Sequence, residues 1–265
     1  MLAQRPAYLF LPVALLLTAC PPKRVEFGRD GEPKSAEDLL ARIEQVEAQI
    51  TSIKGDAKLF VDSPQGKGSV TLFVGVAQPS LVHIEQLDFF GRPQGVFVTD
   101  GERFGLYQAA ENTYFRGPAT APNLGKFLPV VMPPSELAAV MLGRAPRIAH
   151  ESLSMRFDDQ VFVLTLQKGS VKQTLHVQPP SYRVVKSMVE GIDAYELAFS
   201  DLDGQNFPKT VFLKAPKAKT SVELSLKSVT LNEPPDLTMF ELQAPEDIPV
   251  VEVDGSGFPG QPAPQ

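Results

Sequence analysis

Across residues 57–231 apolar side chains recur at every second position, and this period of two constrains the chain more than any other feature. Val70, Leu72, Val74 and Val76 alternate with Ser69, Thr71, Phe73 and Gly75, and similar short runs follow at 81–90, 96–98, 104–107 and 113–115. The series resumes at 160–167, 171–177, 182–189, 193–199, 210–213 and 221–231. Asp100-Gly101 is the clearest hairpin signal, and Asp203-Gly204 and residues 214–219 are further turns. Pro64, Pro79, Pro93, Pro179, Pro180 and Pro208 fall between the apolar runs, where they punctuate rather than break strands. The pattern predicts ten to eleven short antiparallel strands.

Two stretches leave this period. Ser35 is placed to cap a helix, and Leu39, Ile43, Val46, Ile50 and Ile53 then recur at steps of 4, 3, 4 and 3, which predicts one amphipathic helix ending near Gly55. Between Pro118 and Arg147 the alternation stops. There Pro134 precedes Leu137, Ala138, Val140, Met141 and Leu142, with Gly143 as a stop signal, so a short second helix interrupts the strands. A sheet with an apolar inner face and helices laid against it encloses an apolar space. The fold class is therefore mainly β, with an N-terminal amphipathic helix and a short helical insertion among the strands.

Ahead of this domain, Arg5 and an apolar run from Ala7 lead into Leu17-Thr18-Ala19-Cys20, which holds the sole cysteine of the sequence. The run is short and contains Pro12, whereas a bilayer-spanning helix needs about 20 apolar residues, so it reads as an export signal. Its ending resembles the bacterial lipobox. That resemblance implies cleavage after residue 19, diacylation of Cys20 and acylation of the new amino terminus, more than the two signals needed for stable anchoring. Residues 20–34 read as a flexible tether, 35–250 as the folded domain and 251–265 as a disordered Pro/Gly tail.

Enzymatic chemistry finds little support. His83, His150 and His176 are far apart, and no metal-ligand spacing, nucleophile elbow or phosphate loop occurs, so no catalytic residue, metal or cofactor is expected. The formal net charge of −6, with no dense Lys/Arg tract, argues against nucleic acid.

Several stretches carry a family resemblance in order along the chain. They are Pro79-Ser80-Leu81-Val82-His83-Ile84-Glu85, Phe89-Phe90-Gly91, the segment Val131-Met132-Pro133-Pro134-Ser135-Glu136-Leu137 running into Met141-Leu142-Gly143-Arg144-Ala145-Pro146, and Asp236-Leu237-Thr238-Met239-Phe240-Glu241-Leu242 with Pro245. Together they resemble the LolA/LolB superfamily of periplasmic lipoprotein carriers and outer-membrane lipoprotein receptors, and the lid segment resembles the receptor branch. The resemblance implies an incomplete antiparallel β-barrel with a short helical lid, whose cavity takes the acyl chains of lipoproteins or lipids. Leu72, Val74, Leu137, Met141 and Leu142 are the expected cavity residues, and Phe90, with Phe89 beside it, the expected membrane-engaging turn. Partners would be the outer-membrane bilayer through lipidated Cys20, acylated lipoproteins or lipids, and a periplasmic carrier protein. Pro21 rather than Asp after the cysteine implies the outer membrane of a Gram-negative bacterium as the address. An adaptor or sensor built on the same fold, with a filled core, is the alternative function. Metabolic labelling with a fatty acid is expected to mark the protein and to be lost in Cys20→Ala.

Overall fold

The computed structural model describes residues 25–191 and 193–254; Cys20, the leader and the tail from residue 255 lie outside them. Ser35 caps α1 (Ala36–Glu47), its hydroxyl accepting the Asp38 N–H at 3.2 Å. The helix stops at Glu47, earlier than the apolar spacing predicts. Ile50 lies in the following turn, and Ile53 is already in β1 (Ser52–Ser63), paired with Val76 and Leu231. Both are buried in the same core as Leu39 and Ile43, so the apolar spacing runs on although the backbone has changed.

The remaining strands are β2 (Gly66–Ala77), β3 (Leu81–Leu87), β4 (Pro93–Thr99), β5 (Arg103–Gln108) and β6 (Thr113–Pro118). After the short helices α2 (Ala121–Leu124) and α3 (Pro134–Met141) come β7 (Ser152–Asp158), β8 (Val161–Lys168), β9 (Val171–Gln178) and β10 (Arg183–Glu190). Then follow β11 (Tyr195–Leu202), β12 (Pro208–Ala215), β13 (Thr220–Leu231) and β14 (Val250–Glu252). Among the described residues these fourteen strands form one sheet, in the order β14-β6-β5-β4-β3-β2-β1-β13-β12-β11-β10-β9-β8-β7. The count exceeds the ten to eleven expected. In β7, Leu153, Met155 and Phe157 alternate with polar residues in a stretch outside the marked runs, and β14 is only three residues long.

Every pairing is antiparallel except that of β14 with β6. The sheet curls without closing, because its outer strands β7 and β14 do not pair with each other. Helix α1 packs against β7, β8 and β10, and Leu39 and Ile43 are fully buried in the same core as Phe162, Leu164 and Leu175. Helix α3 lies instead against β2 and β3. One half of the curl is thereby filled by a helix, and the other half is only roofed.

Both expected boundaries of the domain move outward. The tether is tied down before residue 35: Tyr182 donates its hydroxyl hydrogen to the Phe27 carbonyl at 2.7 Å, and Arg42 donates to the Gly31 carbonyl at 2.7 Å. The Phe27 ring packs on Phe157 and Phe162 at 5.6 and 5.7 Å. At the other end β14 pairs through Glu252, which meets Arg116 at 2.5 Å, and the Val253 N–H donates to the Arg116 carbonyl. In both places side chains from distant strands capture a segment whose own composition is that of a linker.

A bulge at Asp56/Ala57 lets β1 follow the curl against β13, and Gly55 beside it sits at φ +152°. A Cβ at Gly55 would overlap the Ser228 carbonyl oxygen on β13. Gly55→Ala is therefore expected to cost about 2 kcal/mol, read as a lowered denaturation midpoint, although Gly→Ala normally favours the folded state.

Candidate functional site

Beneath the lid the roofed half of the curl holds a half-open cavity of about 500 Å³. Its floor comes from alternate residues of adjacent strands: Leu59 and Val70, Leu72, Ile84, Phe97 and Leu106 on one side, with Val211, Leu213, Val222 and Leu224 on the other. Phe127, Leu128, Val130, Met132, Leu137, Val140 and Met141 form the roof. The roof loop is pinned by Phe127, whose ring lies 5.7 Å from Phe104 and 5.1 Å from Phe115.

Strand register sets the polarity of the mouth. One cross-strand row runs Val74, Ile84, Phe97, Leu106, Phe115 and is wholly apolar. The next row on the same face, about 7 Å away, runs Leu72, Gln86, Gly95, Gln108. Gln86, Gln108, Gln94 and Glu111 thus give an apolar chamber a polar rim, with no side chain at Gly95 between the two glutamines.

Of the five expected cavity residues, Leu72, Leu137 and Met141 line the chamber. Val74 and Leu142 do not; both are fully packed in the core. Val74 is fully buried at the β2 end of the row whose next members, Ile84, Phe97 and Leu106, do line the chamber, and Leu142 is the cap residue after α3, its N–H bonded to the Ala138 carbonyl. The sequence reading missed Phe97, Leu106, Val211, Val222 and the glutamine rim. Their alternation was visible, but which half of the sheet lacks a helix was not.

The lid carries a half-buried carboxyl. Burial raises the pKa of Glu136, and nothing offsets that shift. Tyr195 on β11 is pushed up to about 12, mainly by burial and then by Glu136. Glu136 is thus near enough to Tyr195 to act on it by charge, while Leu137, Val140 and Met141 of the same helix line the chamber.

Phe89 and Phe90 stand at the tip of the β3–β4 turn, between the strand ends Leu87 and Pro93, each one residue from a rim glutamine, Gln86 and Gln94. They are 96% and 77% exposed, with rings 5.5 Å apart edge to face. The turn that displays them is ordered: the Asp88 carboxylate accepts the N–H groups of Phe90 and Arg92 and the Arg92 guanidinium, at 2.8–2.9 Å. The Arg92 N–H bond leads in holding the Asp88 carboxyl below the usual carboxylate range. Two large aromatic side chains fixed in solvent beside a cavity mouth form an unusual surface for a folded monomer.

The sequence matches no protein-family model and no curated protein. The structure is similar to a DUF1329 family protein from Desulfovibrio piger ATCC 29098, with TM-score 0.55 and 10% identity over 78% of this chain and 98% of that one. It is also similar to a LolA superfamily protein from Nitrosomonas europaea, with TM-score 0.53 and 14% identity over 78% of this chain and 97% of that one. The fold is the LolA fold. The implied incomplete barrel with a lid is present, and in this LolA fold α1 plugs one half while α3 roofs the other. Among the described residues no group of three or more His, Cys, Asp or Glu side chains could hold a metal ion.

A carboxyl whose pKa is raised in the docked lid favours docking in its protonated form. That contribution is present at low pH and is lost as pH rises from the ordinary carboxylate value through the raised one. Amide exchange across α3, corrected for its intrinsic pH dependence, is expected to rise over that window and to stay level in Glu136→Gln.

Proposed function

We propose that this protein is a lipid-anchored periplasmic lipoprotein of the Gram-negative outer membrane, of the LolB-like receptor type, that binds an acyl chain of a lipoprotein or lipid and passes it to the bilayer. The observation that carries the reading is the half-open apolar chamber of about 500 Å³ with its polar rim. A filled core would have favoured the adaptor. The chamber falls within the ~300–1,000 Å³ range of small-molecule sites. At about 0.8 kcal/mol per buried methylene, ten methylenes would contribute about 8 kcal/mol before ordering costs. No bond to the cargo needs to form or break, so the function requires neither nucleophile nor cofactor.

Leu72, Leu137 and Met141 would touch the acyl chain, with Met141 adapting to its shape. The glutamine rim would meet the polar end of the cargo. Phe89 and Phe90 would enter the lipid interface next to the mouth, so that a chain leaving the chamber meets the bilayer rather than water. Cys20 stands seven residues before Phe27, a reach of at most about 25 Å, which would keep the domain near its membrane. A periplasmic carrier would be the donor of the cargo.

A fluorescent fatty acid tests binding, and its movement from the protein into phospholipid vesicles tests transfer. Leu72→Trp, which places a large side chain in the chamber, is expected to weaken binding at least tenfold. Phe90→Glu is expected to leave binding intact and slow transfer at least tenfold. Binding that ignores Leu72→Trp would remove the chamber from the reading, and transfer that ignores Phe90→Glu would remove the turn.

A further inference from the structure

Strand direction sorts the turns of this sheet between two ends. Because the consecutive strands are antiparallel, the turns β1–β2, β3–β4, β5–β6, β8–β9, β10–β11 and β12–β13 share one end, and β2–β3, β4–β5, β7–β8, β9–β10 and β11–β12 share the other. The chamber opens toward the first end, since its rim residues Gln86, Gln94, Gln108 and Glu111 flank or lie in the β3–β4 and β5–β6 turns.

The two ends differ in charge. Between the strands at the far end stand Asp100, Glu102, Asp159 and Asp203, with no Lys or Arg. Between the strands at the mouth end, Asp88, Glu111 and Asp193 are matched by Arg92, Lys217 and Lys219. Arg92 is committed to Asp88 within its own turn at 2.8 Å. Both lysines belong to the β12–β13 turn, Pro216-Lys217-Ala218-Lys219, which holds no acidic residue.

This turn is ordered and displayed as the aromatic one is. Leu213 and Val222 pair across β12 and β13 and line the chamber; two pairs on, about 7 Å further, Ala215 pairs with Thr220 and the chain turns. The Lys219 N–H donates to the Pro216 carbonyl at 3.1 Å and the Thr220 hydroxyl to the Ala218 carbonyl at 3.1 Å. The Lys217 ammonium donates to the Gly191 carbonyl of the adjacent β10–β11 turn at 3.2 Å. Lys217 and Lys219 are both exposed. The mouth is thus flanked by two hairpins that prolong its own lining strands, on opposite sides of β1 and β2 in the sheet, one ending in Phe89 and Phe90 and the other in Lys217 and Lys219.

Exposed rings and ammonium groups at one end of a molecule suit a bilayer that contains anionic phospholipid: the rings enter the interface and the lysines stay among the headgroups. An acidic protein would match the lysines but not the rings. The same anionic surface repels the carboxylates of the far end, which favours the pose with the mouth toward the lipid. We propose that Lys217 and Lys219 of the β12–β13 turn bind anionic phospholipid headgroups and, with the Phe89/Phe90 turn, dock the protein mouth-down on an anionic bilayer. The proposal rests on the reading that the chamber delivers its cargo to a bilayer, and adds which lipid that bilayer must display.

The chain has no tryptophan, so Phe89→Trp introduces a single fluorescent reporter. The full chain carrying it is incorporated into vesicles of phosphatidylcholine or of equimolar phosphatidylcholine and phosphatidylglycerol, so that attachment is constant and only the pose of the domain differs. Blue-shifted emission reads the docked population. The docked-to-undocked ratio is expected to be at least fivefold higher on the anionic vesicles. It is expected to fall to within twofold of the neutral value in high salt and in Lys217→Gln/Lys219→Gln, and to be retained in Lys217→Arg/Lys219→Arg. Neither lysine lines the chamber, so binding of the fluorescent fatty acid is expected to be unchanged in both double variants. A blue shift equal on the two vesicles, or one that persists on anionic vesicles in Lys217→Gln/Lys219→Gln, would overturn the proposal while keeping the aromatic turn at the membrane, and would leave the lysines to an acidic protein partner. No blue shift on either vesicle would overturn the proposal and the membrane role of Phe89 and Phe90 together.

Discussion

The concave face of an unclosed, curled sheet has to be removed from water, and one short helix cannot cover all of it. That constraint shapes the rest of the molecule. Fourteen strands present apolar rows from both halves of the curl to the same interior. The twelve residues of α1 cover β7, β8 and β10 and bury Leu39 and Ile43 completely. Over β1–β5, β12 and β13 the cover is a loop and the eight residues of α3. Its side chains reach the rim of the bowl but do not fill it.

Polarity along the strands then converts an unfilled space into a site. Moving one row outward from Ile84, Phe97 and Leu106 exchanges apolar side chains for Gln86, Gly95 and Gln108, so the apolar interior ends at a defined line. The strands that supply this line continue into the turn that holds Phe89 and Phe90 in solvent. Chamber, rim and aromatic turn therefore share the β3–β4 pair. Arg147 donates to Glu47 in the last turn of α1 and Arg144 to the Ile50 carbonyl, so the segment that leaves the lid meets the end of α1 around Glu47.

Much of this was legible locally. The Ser35 cap, the Leu39/Ile43 stripe and the alternation of β2, β8 and β9 depend on near neighbours, and the structure reproduces them. The departures occur where distant contacts override local pattern. Ile50 and Ile53 keep a helical spacing because they serve the same core, yet pairing with Val76 and Leu231 draws the backbone at Ile53 into a strand. Phe27 and Val253 lie in stretches with linker composition, and Tyr182 and Arg116, more than a hundred residues away from each, hold those stretches in place. Leu72 and Val74 are chemically alike and two residues apart; one lines the chamber and the other is fully buried, and nothing in their local sequence separates them.

The sequence by itself determined the class of fold, the faces of its strands, the cap of its first helix and the break that becomes the lid, because period and turn chemistry act over a few residues. Only the tertiary structure decided which half of the curl stays open, that both phenylalanines of the turn face water, and that Arg147 from the segment after the lid meets Glu47 at the end of α1. Those outcomes depend on how far a sheet curls and on which element reaches each part of its face. Such distances are set by the packing of the whole chain, and no local pattern records them.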